Sequence, residues 1–133
     1  MKLFEIKNGT PGEYVYHASM LTLDTKDLQK IAKRGLIPSE RGYAGSGVYF
    51  GHTPDQCYVH VDKEDAVLFR AKWKDLVNLY GKYSENETGI QWDEDEIVVP
   101  GKVPAELLEV EYFKGEWWDL ESAVSASKGP DQD

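Results

Sequence analysis

The sequence predicts an α+β domain with more strand than helix, its short strands forming two packed antiparallel or mixed sheets with few helices. Three observations predict it. Short runs of β-branched and aromatic residues recur between Gly and Pro, one amphipathic helix is well signalled, and 133 residues leave room for one core and not two. The expected domain spans residues 1–121, and 122–133, rich in Ser, Ala, Lys, Gly, Pro, Asp and Gln, reads as a frayed tail.

Val15-Tyr16-His17-Ala18-Ser19, bounded upstream by Gly9-Thr10-Pro11-Gly12, reads as the first strand. Residues 24–35 then give a helix. Asp24 or Thr25 caps it, Asp27 complements its N-terminal dipole, Leu28, Ile31 and Ala32 share one face, Lys33 and Arg34 sit in the last turn, and Gly35 stops it. Ser39 to Gly47 reads as a mobile loop, and Val48-Tyr49-Phe50 as the strand that leaves it. Thr53 caps a short helix with Pro54 at its first position. A strand over 66–73, a polar loop from Tyr80 to Asp95, a β-branched run Ile97-Val98-Val99 and a last strand over 107–113 complete the order.

Composition narrows the function classes. Eight Tyr, four Trp and four Phe supply rings for a core or for the walls of a pocket that takes a flat heterocycle. Lys+Arg 15 against Asp+Glu 24 gives a net charge of −9, a field that opposes non-specific binding to nucleic acid or anionic membrane. The single Cys57 excludes an intrachain disulfide, and no Cys/His set has zinc spacing, so no metal is expected. With no apolar run of signal-peptide or membrane-span length, the expected setting is cytoplasmic, with no membrane partner. Asn86-Glu87-Thr88 matches a glycosylation sequon, which is incidental without secretion.

The chemistry-bearing residues fall in three segments. His17 and Ser19 end a strand with small Ala18 between them, Tyr49 and Tyr58 offer two stacking rings, and Glu96 opens a strand. Cleaving a nicotinamide glycosidic bond needs such a set: a place for a flat amide, contacts that orient a ribose, and a carboxylate beside developing positive charge. Singly, each also reads as structure: a bonded strand-end His, core tyrosines, and an acid in the solvated run Asp93-Glu94-Asp95-Glu96.

Gly45-Ser46-Gly47-Val48-Tyr49-Phe50, followed by Tyr58, looks like the G-x-G-[IV]-Y-F…Y segment of poly(ADP-ribose) polymerase and diphtheria-toxin-like ADP-ribosyltransferases. Tyr16-His17-Ala18-Ser19 is similar to that family's first-strand H-G-[ST] motif, and residues 95–108 resemble its glutamate strand, more closely still that of DNA-targeting ADP-ribosyltransferase toxins. The likeness covers most of residues 14 to 113. It implies two sheets around an NAD⁺ cleft, with His17, Tyr49 and Glu96 as the catalytic triad. His17 would contact the adenosine-side ribose, Ala18 and Ser19 would hold nicotinamide and its ribose, and Tyr49 and Tyr58 would pack the nicotinamide ring. Arg41 would meet pyrophosphate. Ala18 replaces the usual Gly, and Glu94 gives an E-x-E spacing that in arginine-specific transferases orients a guanidinium acceptor.

The expected activity is mono-ADP-ribosyl transfer from NAD⁺ to a macromolecule, protein before nucleic acid, in a toxin or effector role. Three rivals stand beside it. In an NAD⁺ glycohydrolase water takes the acceptor's place. The RNA phosphotransferase that shares this fold would want more than the four Arg or His found from Arg34 to His60. A catalytically silent inhibitor domain would use the same cleft or its acidic face only to bind.

Overall fold

Strand alternation and one helix stripe organise the core. In the computed structural model the described residues are 11–19, 25–42, 45–58, 66–85, 87–113 and 115–128, those at 25, 39–46, 113, 127 and 128 by backbone alone. The elements run β1 (Tyr14–Ser19), α1 (Thr25–Arg34), β2 (Ser39–Gly42), β3 (Gly45–Phe50), α2 (Pro54–Cys57), β4 (Val67–Lys72), α3 (Trp73–Tyr80), β5 (Gln91–Trp92), β6 (Ile97–Val99), β7 (Leu108–Phe113), β8 (Glu116–Asp119) and α4 (Leu120–Lys128), with a 3₁₀ turn at Ala105–Leu107. The molecule is a small α+β protein of two four-stranded antiparallel sheets, ordered β1-β4-β7-β8 and β2-β3-β6-β5.

Cross-strand pairs explain the burial. In the first sheet Val15 faces Ala71, Phe69 faces Val110 and Ala71 faces Leu108, all buried on one side. In the second, Val48 and Phe50 pair with Val99 and Ile97, again all buried. Leu28 and Ile31 of α1, Leu76 of α3, and Leu120 and Ala123 of α4 join these strands in one hydrophobic cluster. Burying that much apolar surface is the main force holding the sheets.

Two glycines fix the path of the chain. Gly35, at φ 71°, ends α1, bonds back to Ile31 O at 2.7 Å, and lets Leu36 and Val103 exchange a pair of 2.9 Å backbone bonds. A Cβ at Gly47 would stand 2.6 Å from Val98 Cγ1, so the β3–β6 approach requires glycine there.

Several expectations change. Ser39–Gly42 and the residues from Gly45 on are strand and not loop: β2 pairs antiparallel with β3, Ser39 opposite Gly47 and Gly42 opposite Gly45, because β3 extends back to Gly45 and offers its backbone to a partner. The polar stretch after Tyr80 holds β5, which pairs with β6 through Gln91 and Trp92, while α3 and β8 were not anticipated. The tail expected from Ser122 is instead the helix α4 through Lys128. Asp119 Oδ1 accepts from Ser122 N at 2.7 Å and caps it, and Leu120 and Ala123 enter the core. Asp24, Asn86 and 129–133 lie outside the described residues. No described helix is long and apolar enough to cross a membrane.

Candidate functional site

The two sheets are joined where β1 meets the end of β3. Tyr16 N donates to Gly51 O at 3.0 Å and Gly51 N donates to Tyr16 O at 2.7 Å, an antiparallel bridge that carries the backbone from one sheet to the other. On the far side of β3, Tyr49 pairs with Val98 and Phe50 with Ile97. Continued by one residue, that register sets Glu96 opposite Gly51. His17 on β1, Tyr49 on β3 and Glu96 just before β6, distant in sequence, therefore lie where three strands meet at one junction.

Alternation decides where their side chains go. Opposed residues of an antiparallel bridge share a face, so Tyr16 and Ala18 lie on the side of Tyr49 and Glu96. His17 falls on the other side, its ring 5.6 Å from that of Phe50. The imidazole thus reaches Tyr49 through the backbone: His17 Nδ1 lies 2.6 Å from Tyr49 O, and Nε2 lies 3.0 Å from Ser19 Oγ. A carbonyl only accepts, so Nδ1 carries the proton, and in the neutral ring Nε2 accepts from the Ser19 hydroxyl. Although the residue keeps some accessible surface, burial of the ring holds its pKa below 6.5, and the Tyr49 carbonyl only partly offsets that. His17 is a neutral group with both ring nitrogens engaged, and it does not share the face of Tyr49 and Glu96, as the expected triad would require.

Tyr49, Ala18, Ser19, Tyr58 and Glu96 are all half-buried. Tyr58 ends α2, a helix that begins at Pro54 with Thr53 as its cap. Cys57 Sγ donates to Tyr16 O at 3.0 Å and fixes that helix under β1. Burial raises the Tyr58 phenol above 10.0, helped by the nearby acids Glu111 and Asp55. Burial likewise pushes the Cys57 thiol up to about 11, which leaves it protonated and unreactive at neutral pH. Arg41 lies on β2, and its side chain is outside the described residues. Glu94 is exposed on the loop before Glu96.

Sequence reasoning missed the groups that brace this junction. His52 Nε2 donates to Asp93 O at 2.6 Å, and Gln56 Nε2 donates to Glu94 O at 2.9 Å. Neither residue belongs to a recognisable motif, and only the fold brings them to the acidic run. A cavity of about 490 Å³ lies elsewhere, among Lys33, Lys102, Pro104, Leu108 and Leu120, and another of about 650 Å³ lies along α1 at Lys26, Gln29 and Lys30. Neither touches the junction; the first also carries the carboxylates Glu106, Asp119 and Glu121 along with Lys33 and Lys102, whereas the junction holds the residues singled out in the sequence. Among the described residues no group of three or more His, Cys, Asp or Glu could hold a metal ion.

Comparison with protein-family models, curated proteins and solved structures finds no match to this chain.

Proposed function

We propose that the chain is a mono-ADP-ribosyltransferase of the His-Tyr-Glu kind, using NAD⁺ as donor and a macromolecular acceptor. The observation that carries this reading is the junction itself: the His17 ring bonded to the backbone of Tyr49, with the β3–β6 register bringing Glu96 opposite Gly51. It supports the sequence resemblance because those motifs require just these strands to meet.

The reaction follows from the residue chemistry. Nicotinamide packs beside Ala18 against the Tyr49 and Tyr58 rings, on the side that carries Glu96, while the neutral His17, on the opposite side, holds the Tyr49 carbonyl and so positions that strand. The bond between the anomeric carbon and the pyridinium nitrogen breaks with its electron pair going to nitrogen, so nicotinamide leaves neutral and the ribose becomes cationic. Glu96 stabilises that charge, which is absent in the ground state, and so lowers the barrier rather than tightening binding. The acceptor nucleophile then bonds to the anomeric carbon and gives its proton to a carboxylate of the acidic loop or to solvent. A net charge of −9 favours protein over nucleic acid as acceptor. The E-x-E spacing, similar to that of arginine-specific transferases, supports Glu94 as the acceptor-orienting group.

Incubation with NAD⁺ labelled in the adenine half, in whole lysate, tests this. The expected result is nicotinamide release with label appearing on protease-sensitive material. Label only in free ADP-ribose assigns the glycohydrolase, and no nicotinamide release removes the enzymatic reading altogether.

A further inference from the structure

The loop that carries Glu94 and Glu96 is four consecutive carboxylates, Asp93-Glu94-Asp95-Glu96, whose mutual repulsion favours an open chain. It is nonetheless closed. Asp93 Oδ1 accepts from Asp95 N at 2.8 Å and Glu96 N at 3.0 Å, and Asp93 N donates to Glu96 O at 3.0 Å. Two side chains from another segment then grip the outside of this turn. His52 Nε2 donates to Asp93 O at 2.6 Å, which requires that nitrogen to carry the proton. Gln56 Oε1 accepts from His52 N at 2.6 Å, and its Nε2 donates to Glu94 O at 2.9 Å, so both ends of the amide are committed.

We infer that His52 and Gln56 are positioning residues that lock the Asp93–Glu96 turn, and with it the Glu96 carboxylate, to the strand junction bearing His17. The lock forms a closed circuit. Gln56 sits on α2, α2 is held to β1 by the Cys57–Tyr16 bond, β1 is bridged to β3 at Gly51, and β3 pairs with β6, which follows Glu96. Without the two side chains Glu96 is tethered only through β6 and the turn's own Asp93 bonds, so turn and carboxylate can shift together away from the point where positive charge develops. Misplacement of a catalytic group by about 1 Å costs up to about a hundredfold in rate without a matching loss of binding. The catalytic part of this inference rests on the activity proposed above, whereas the structural part does not.

The test uses the full chain with His52→Ala, Gln56→Ala and the donor-preserving His52→Gln. Backbone amide exchange reads the lock: at Asp95 and Glu96 it should speed up by about tenfold or more in both alanine variants while Val98 in β6 stays protected. Steady-state nicotinamide release reads the consequence. In the alanine variants kcat should fall by about tenfold or more with KM for NAD⁺ within about threefold, and His52→Gln should recover most of the loss. Unchanged exchange at Asp95 and Glu96 overturns the lock. Faster exchange with unchanged kcat overturns the catalytic role. If the wild-type chain releases no nicotinamide, the proposed activity and the catalytic role fail together, and exchange alone still decides the lock.

Discussion

At the scale of single residues the most informative group is His17, because its environment fixes its protonation. A proton added to the ring would be poorly solvated, which is why its pKa lies below 6.5 in the fold. In the unfolded chain the same group takes up a proton near 6.5. The unfolded state therefore binds more protons as pH falls, and the stability present above that value is lost as pH drops from 6.5 towards the folded-state pKa. The urea midpoint should fall more steeply between about pH 7 and pH 5 for the wild type than for His17→Asn. Equal slopes would show that His17 is not a buried neutral ring. That His17 and Tyr49 lie in strands and Glu96 at the start of one was legible in the segments around them. Their relation was not: that the imidazole would meet Tyr49 through a carbonyl, and lie on the side of Phe50, is set by strand alternation across a bridge between two sheets.

At the scale of elements, what could be read depended on whether the signal was local. The helix α1 was visible because cap, stripe, charge and stop all agree, and Leu28 and Ile31 are buried as that stripe requires. β2 was hidden since its Gly- and Ser-containing sequence carries no alternation, and it is a strand only because β3 pairs with it. β5 has two residues and exists by its pairing with β6. The Gly45-Ser46-Gly47 segment has an element-level consequence of its own. A methyl at Gly47 meets Val98 Cγ1 and Val99 O, both under 3 Å, so Gly47→Ala must push β3 and β6 apart. It should cost about 1–3 kcal/mol of stability by chemical denaturation. A neutral outcome would mean that this pairing, on which the placement of Glu96 depends, is looser than the register implies.

At the scale of the whole molecule, the α+β class with two sheets was legible, because several short strands and few helices must pack in layers. The extent of the ordered chain was not. A stretch of Ser, Ala and Lys reads as polar, yet Asp119 as cap and Leu120, Ala123 and Val124 at helical spacing make it an element that packs on α1. A chain ending at Glu121 loses Ala123 and Val124 from the cluster and should be destabilised by roughly 2 kcal/mol or more. A truncated protein with an unaltered melting temperature would return this segment to the status of a tail. The same core supports the junction, since β3, β6 and β1 each bury one face in it.

The central claim is that Glu96, held at this junction, stabilises a cationic ribose during cleavage of NAD⁺. Nicotinamide release by purified wild-type protein and Glu96→Gln, at matched NAD⁺ saturation, tests it most directly. The substitution removes a charge and almost no bulk, so the account predicts near-equal NAD⁺ affinity and turnover lower by on the order of a hundredfold or more. Equal turnover in the two proteins, or none in either, would contradict it.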